Sequence, residues 1–540
     1  MKKNFMIQSG YLHIPVSCDA TKHYLRVTVD GEQVHELHIG ITNEPQFYCA
    51  MSLCDYLGKT VVLSIDDGAE KLLDGILEGG PIEADNPLYS GLYHEQLRPA
   101  YHFSSRRGWL NDPNGLFFDG KHYHLYYQHN PYGILHGGVN IHWGHAISKD
   151  AVHWVELDDA IKPANSNWHI ASGSAILDTQ GAAGFGKGAV IAAYTALGSM
   201  DFHKDPPCES PSYGQYLAYS TNGGNTFKPF PNNPHIPTED YKSWRDPRLF
   251  EYPQGEFTIA VYETTERGNC VSFYHSTNLH NWVQTSRVDD LYECPDLFPL
   301  VVQETKEEMW VLYGADGMYR VGRFKEGSFI QTEEKQPMDF GDSTYAGQTW
   351  TGTEGTDSRL HISWVRGMGT NNEWSGDMGY PGMPFSQCMS VPCLLTLHKT
   401  SEGYRLFRSP APALNALHTA DPERNVLMVS DSQVVPLHGP EDVSIRVEAN
   451  YPVTLKVGRI NLLFDPSTGK VVFDGTRSVN LAKRDSFEVR LLVDRTTVEF
   501  FVQGEISATY AMDTEGAELT INAVNMKLEL CRHSMGSIWP

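Results

Sequence analysis

Apolar and polar residues alternate with a period of two over most of the chain, and stretches with helical periodicity are scarce. The elements predicted are therefore strands, and the fold class is all-β. Near the start, Leu25, Val27 and Val29 alternate with polar neighbours, Asp30-Gly31 supplies a tight-turn pair, and Leu37 and Ile39 resume the pattern beyond it. Residues 1–95 read as a small N-terminal β-sandwich domain. The breaker-rich stretch from Gly79-Gly80-Pro81 to Asn86-Pro87 leads out of it.

The middle of the chain, 98–405, carries a faint internal repeat. Ser148-Lys149-Asp150 ends at Trp154, Ser220-Thr221-Asn222 at Phe227, and Ser276-Thr277-Asn278 at Trp282. Each unit reads as strand, polar turn, then an aromatic residue opening the next strand. The intervals somewhat exceed the ~40–50 residues of common propeller repeats. With further strand pairs such as those flanking Asp316-Gly317, a β-propeller is the architecture expected. The competing reading is a set of unrelated hairpins that share Ser/Asn/Gly turn chemistry. After Arg408-Ser409-Pro410-Ala411-Pro412 the alternation becomes cleaner, through Val453, Leu455 and Val457, then Val489, Leu491 and Val493, then Val498, Phe500 and Val502. Residues 415–540 read as a C-terminal β-sandwich domain.

Three domains suit 540 residues, a length beyond what one core usually supports. The 42 Lys and Arg against 66 Asp and Glu leave a formal net charge of −24, which repels a phosphate backbone or an anionic lipid surface. Neither nucleic acid nor a membrane is an expected partner, whereas a neutral sugar meets no electrostatic penalty. An aromatic share of 11%, with 11 Trp and 27 Tyr, suits a protein that stacks rings on sugar faces. No apolar run is long enough to span a membrane as a helix. The nine cysteines are odd in number and lack paired Cys-x-x-Cys spacing, which argues against a zinc site or a full disulfide framework. The apolar stretch after Lys2-Lys3 is too short for a signal peptide. A reducing cytoplasm is the compartment expected, unless a leader has been removed. A homo-oligomer is compatible with all of this.

Three acidic segments place a carboxylate beside a rigid turn at a strand end: Trp109-Leu110-Asn111-Asp112-Pro113-Asn114-Gly115, Trp244-Arg245-Asp246-Pro247-Arg248, and Tyr292-Glu293-Cys294-Pro295-Asp296. Taken singly, each is also an ordinary turn. Glycoside hydrolysis with retention needs two carboxyl groups about 5 Å apart, and a propeller can bring distant strand ends to one axial mouth.

The ordered set of three segments resembles glycoside hydrolase family 32, which contains the invertases, inulinases and levanases. The resemblance extends through Tyr127-Gln128-His129-Asn130-Pro131, Trp143-Gly144-His145-Ala146, Ser172-Gly173-Ser174-Ala175, the region from Tyr345 to Trp364, and Leu492-Val493-Asp494-Arg495 to Val502. It implies a five-bladed β-propeller followed by a β-sandwich. It also implies a double displacement in which Asp112 attacks the fructosyl anomeric carbon, Glu293 is the acid and then the base, and Asp246 stabilises the transition state. Arg245 is expected to keep Asp246 ionised. Amides of the turn after Asp112 are expected to keep it ionised, and apolar neighbours or the Asp112 charge to keep Glu293 protonated. Asn111, Gln128, Trp143, Ser172, Arg245 and Trp364 match substrate-binding positions; Gln128 as a ladder residue and Trp364 as core are the plainer alternatives.

The implied substrates are β-fructosides: fructans such as inulin or levan, fructo-oligosaccharides and sucrose. A fructosyltransferase using the same covalent intermediate, or a fructan-binding protein on an inactive propeller, are the alternatives. Two departures bear on the substrate. Where the family usually has Trp soon after Asn-Pro, this chain has His136 within a slightly longer stretch, Ile134-Leu135-His136-Gly137-Gly138-Val139-Asn140, and Ala171 stands where Phe commonly precedes the Ser. Gly382-Met383-Pro384-Phe385-Ser386-Gln387 looks more like the levanase and inulinase members than the sucrose-specific ones, and the N-terminal sandwich resembles domains appended to some bacterial fructan hydrolases. His136, His142 and His145 lack carboxylate or Cys partners at ligand spacing, so no metal and no cofactor is expected.

Overall fold

The computed structural model describes the chain except residues 1, 66–67, 138–139, 164–166, 199–213, 238–243, 354–356, 368–379, 381, 449–450 and 485. Gly138 and Val139 of the loop singled out above thus lie outside the described residues.

The first hairpin forms where the alternation places it. His23–Val29 pairs with Glu32–Ile39 across Asp30 and Gly31, both at positive φ (51° and 87°), a turn whose twist matches that of the strands. These two strands join Lys2–Met6 and Thr60–Ile65 in a four-stranded sheet, and Phe47–Ser52, Tyr11–Val16 and Leu77–Gly79 form a three-stranded one. Leu25, Val27, Leu37 and Leu63 of the first meet Leu12, Ile14 and Met51 of the second in one buried core.

Five sheets of four or five strands follow, each an antiparallel blade of the propeller, with strap strands adding to some edges. Their inner strands, Gly108–Phe118, Asn167–Asp178, Trp244–Glu251, Asp296–Val301 and Thr344–Thr349, lie next to one another around the axis. The repeat noticed in the sequence is the turn between the third and outermost strands of the first three blades. Ser148, Ser220 and Ser276 each donate a hydroxyl hydrogen bond to the residue two positions on, Asp150, Asn222 and Asn278. Those side chains in turn accept from the turn amides, at Val152, Thr226 and His280 among others. The ring is closed by Phe385–Ser386, which pairs in parallel with Gly108 and Trp109 of the first blade.

Two six-stranded sheets make the C-terminal sandwich around a second large apolar core, and the predicted alternations fall within Val453–Val457, Phe487–Asp494 and Thr497–Val502. A buried polar seam docks it on the propeller. Asp494, fully buried, accepts from the backbone N–H groups of Ala100, Tyr101 and His102 at 2.7, 2.9 and 3.2 Å, and from His102 Nδ1 at 2.9 Å. Arg408 pairs with Asp339 at 3.0 Å, also buried. Asp339 accepts besides from the Ser507 hydroxyl and the Thr509 amide.

Candidate active site

Proline has no N–H to give to a strand ladder, so within a strand it favours an edge or an interrupted pairing. Pro113 and Pro247 stand at such interruptions, one residue after Asp112 and Asp246. Against its neighbour strand the first inner strand pairs Leu110 with His129 and then Pro113 with Tyr127, so Asn111 and Asp112 bulge opposite Gln128. The third pairs Arg245 with Tyr262 and then Arg248 with Ala260, so Asp246 and Pro247 bulge likewise. The second and fifth blades repeat the feature without proline, at Ala171-Ser172 and Ala346-Gly347. In the fourth blade Glu293 and Cys294 stand just ahead of the inner strand, before Pro295. Asp246, Glu293, Cys294 and Ala346 all have positive φ (62°, 47°, 37° and 49°), a strained conformation for residues with a Cβ, of the kind that concentrates at functional sites. Five interrupted strand ends thus point their side chains into one mouth of the propeller.

The carboxylates converge there around the Glu293-Cys294 peptide. Asp246, 6% exposed, accepts the Cys294 N–H on Oδ2 at 3.2 Å, and its own N–H donates to Thr195 Oγ1 at 3.1 Å. Asp112 Oδ2 accepts from the Ser172 hydroxyl at 2.7 Å and lies 3.5 Å from the Cys294 thiol. Its Oδ1 has no partner among the described residues. Glu293 accepts from the Tyr345 hydroxyl on one oxygen and is ion-paired with Arg245 on the other. Arg245 also lies 3.7 Å from Asp246 Oδ2 and packs its guanidinium over the Tyr262 ring.

Two sequence expectations are corrected by this geometry. Among the described residues no turn amide bonds Asp112; its donors are Ser172 and Cys294 from other blades. Burial, then the Asp246 charge, push Asp112 up to about 7. Nor does Glu293 sit among apolar groups, because Tyr345 and Arg245 bracket it. Burial raises Asp246 to about 6, with Arg245 pulling the other way, so the expected Arg245 contribution is present but smaller than the cost of burial. Burial and the adjacent Glu293 hold the Tyr345 hydroxyl far above the ordinary tyrosine range, so it is a neutral donor.

Gln128 reaches the second blade, donating to the Ile170 carbonyl at 2.9 Å. Asn111 stands beside Asp112 with Oδ1 unpartnered among the described residues. Trp364 donates to Gln387 Oε1 at 3.3 Å and meets Tyr345 and Trp109 edge-on. Trp143 lies elsewhere: fully buried beneath Gly115, it donates to the Ala171 carbonyl at 3.0 Å. A Cβ at position 115 would come within 3.0 Å of that ring and 2.8 Å of Tyr126, so the Asn-Gly of the first segment makes room for packing, and Trp143 supports the wall from behind. Thr195 is absent from the sequence-derived set, and Cys294 and Tyr345, though within segments that carry the family resemblance, have no role assigned by it. Nothing local distinguishes a tyrosine that begins one strand from any other; its importance comes from a carboxylate contributed by a different blade.

A raised carboxylate pKa has a testable consequence. Between the unfolded carboxylate range near 4 and about 7, the folded protein holds a proton on Asp112 that the unfolded chain has released, so stability falls as pH rises through that window. Asp112→Asn is expected to raise the melting temperature relative to the parent at pH 8 and to leave it unchanged at pH 4. Equal shifts at both pH values would refute the assignment.

The model of the glycosyl hydrolases family 32 N-terminal domain matches residues 102–410. A levanase of Bacillus subtilis is 29% identical over 467 residues, 76% of this chain and 65% of the levanase, so the match spans just under two thirds of that relative. An extracellular exo-inulinase of Aspergillus niger is 26% identical, covering 77% of this chain and 89% of its own length. Among solved structures, the exo-inulinase of Aspergillus awamori superposes over 83% of this chain and all of its own at a TM-score of 0.72 and 22% identity, a likeness of fold. That extracellular relative overturns the expectation of a cytoplasmic enzyme. The physical reason is that unpaired cysteines do not mark a compartment when they are buried. Cys49, Cys270, Cys388 and Cys393 are small apolar residues of the interior, as inert outside a cell as within it.

Proposed function

The chain belongs to glycoside hydrolase family 32, and on that premise we propose that it is a retaining β-fructosidase releasing fructose from fructans, fructo-oligosaccharides or sucrose. The division proposed is an N-terminal unit over 1–95, a catalytic propeller over 98–405 and a C-terminal sandwich over 415–540. The observation that carries the reading is the meeting of Asp112, Asp246 and Glu293 from three blades around one peptide, with Arg245 as their cation.

In the first step Asp112 attacks the anomeric carbon as a carboxylate. The glycosidic bond breaks toward the aglycone oxygen, and Glu293 gives that oxygen its proton. In the second step Glu293 takes a proton from water, whose oxygen displaces Asp112 from the sugar. Burial holds Asp112 and Asp246 above the ordinary carboxylate range; a fructosyl unit acquiring positive character favours their ionised forms. Asp246 accepts sugar hydroxyls, whose hydrogen bonds strengthen as that charge builds. Ser172 aims one oxygen of Asp112, and Arg245 and Tyr345 aim Glu293. Asn111 and Gln128 offer amide groups to the sugar, and Trp364 braces the wall. Proton NMR of early product tests the reading: β-fructofuranose must appear before mutarotation, and the α-anomer as first product would sink it. A time course on sucrose, inulin oligomers and levan separates exo-hydrolysis, which yields fructose alone at early times, from endo-action or transfer.

Position 136 bears on the leaving group. His136 is exposed and meets the Trp109 ring edge-on at 5.1 Å, in place of the larger ring common in the family. A smaller ring gives up roughly 1–3 kcal/mol of stacking and apolar contact. A small glucosyl leaving group is therefore held less firmly than a longer chain. We expect kcat/KM for a fructo-oligosaccharide to exceed that for sucrose, and His136→Trp to narrow the gap. Sucrose as the better substrate of the unmodified enzyme would contradict this.

A further inference from the structure

The loop that carries His136 is built largely by the N-terminal sandwich. It connects the second and third strands of the first blade, Tyr123–Asn130 and His142–Ser148. At its start, Tyr132 is 5% exposed and belongs to the N-terminal apolar core, with Ile134 packed against the same cluster. At its end, Asn140 lies against Glu32–Ile39, an edge strand of the N-terminal four-stranded sheet. Asn140 Oδ1 accepts the His38 N–H at 3.0 Å and Nδ2 donates to the His38 carbonyl at 2.9 Å, the two-point pairing that a neighbouring strand would make. On the propeller side Asn130 spans the same loop, accepting the Tyr132 N–H at 3.1 Å and donating to the Leu135 carbonyl at 2.8 Å. Gly137 rests on that amide, where a Cβ would come within 2.4 Å of Asn130 Nδ2. Between these fastenings His136 is exposed, with Trp109 on one side and the His169 ring 5.5 Å away on the other. Trp109 is three residues ahead of Asp112 on the same strand.

We infer that the N-terminal sandwich is a working part of the active site, setting the leaving-group side of the pocket through Asn140, which positions the loop, and His136, which touches the departing sugar. The inference rests on the fructosidase reading for the chemistry of the ligand, and on the loop contacts for the mechanical link. A loop fastened on both sides of His136 presents its ring at a fixed place; one released from His38 keeps Asn130, Tyr132 and Ile134 before the ring and loses the fastening after it. Ordering it then falls to the substrate, at the expense of affinity. Only a leaving group large enough to reach the loop senses the difference.

The test compares a fructose-terminated trisaccharide with methyl β-fructofuranoside, whose leaving group is too small to touch position 136. For Asn140→Ala, kcat/KM for the trisaccharide is expected to fall about tenfold, mainly through KM, while the methyl glycoside stays within about twofold; His136→Ala is expected to lower the trisaccharide value by a similar factor. Equal losses on both substrates would show a general structural defect and overturn the inference, as would no loss on either. Asn140→Asp, which keeps the acceptor and gives up the donor, is the milder variant if alanine prevents folding. In it, the amides from Tyr132 to Gly137 are expected to exchange faster with deuterium while the inner strands keep their protection. An unmodified protein inert toward both substrates would sink the fructosidase reading instead. The exchange result alone would then decide the mechanical link, with unchanged protection of the loop overturning it.

Discussion

Asp112→Ala and Glu293→Ala are each expected to lose at least about 10⁴-fold in kcat on a fructo-oligosaccharide, because in the proposed mechanism each deletes a reacting group and neither side chain has a neighbour among the described residues able to replace it. Asp246, whose charge acts on Asp112, is held by the Cys294 amide and lies alongside Arg245. The two losses differ in kind. Azide can enter the space vacated by Asp112 and displace the aglycone from that face, giving a fructosyl azide of inverted configuration. In Glu293→Ala the covalent intermediate still forms from substrates with good leaving groups, and azide then attacks it to give the retained product. Wild-type-like turnover in either variant, or azide products of the same configuration from both, would contradict the assignment. Circular dichroism of both variants should match the parent, since both residues lie at interrupted strand ends and not within a ladder.

The second large effect lies far from the chemistry. Asp494→Ala is expected to destabilise the protein by about 3–5 kcal/mol, because it strips one partner from a buried ion pair and leaves several backbone donors facing an apolar gap. The carboxylate collects Ala100, Tyr101 and His102 amides together with the His102 ring. Burial alone would raise Asp494 and lower His102. The hydrogen bonds and mutual attraction of the pair, with Glu499 also acting on His102, outweigh it, holding Asp494 below its ordinary range and lifting His102 to about 9. The Asp494 contribution is therefore present above the unfolded carboxylate range and is lost as pH falls below it. The His102 contribution is complete below about 6.5 and is lost as pH rises toward 9. Denaturant unfolding should show the largest gap between parent and variant between about pH 5 and 6.5, narrowing by pH 9. A gap that does not change with pH would show that shape alone, and not the charged pair, is what Asp494 supplies.

Much of this architecture can be read from the chain, for identifiable reasons. A hairpin is a local object, and Asp30-Gly31 specifies its turn, although a bulge between Val27 and Thr28 shifts the register beyond it. A blade turn is local too, which is why Ser148, Ser220 and Ser276 betray a repeat despite little else in common. The three candidate acids are legible because a proline follows each at one or two positions and proline favours interruptions of a strand. What escapes is whatever depends on company from another blade. Ser172 reads as a sugar ligand, yet its hydroxyl is spent on Asp112. Tyr345 carries no local mark of its bond to Glu293, and Trp143 cannot be told from a ring at the pocket wall until Gly115 is seen above it. The ionisation of Asp112 turns on burial among other acids, which no motif records.

The parallel pairing of Phe385–Ser386 with Gly108 and Trp109 also bears on how the protein is made. The first blade is among the earliest parts of the propeller to leave the ribosome, but the segment that fastens it comes after the inner strands of all five blades. Until then the strand bearing Asp112 has an open edge, with Trp109 uncovered on a nascent chain. Closure over so long a sequence separation is a slow step, so the interval before it is when the chain is most exposed to aggregation and proteolysis. The N-terminal sandwich, which precedes the first blade along the chain and grips it at Asn140 and Tyr132, serves over that interval as a built-in holdfast.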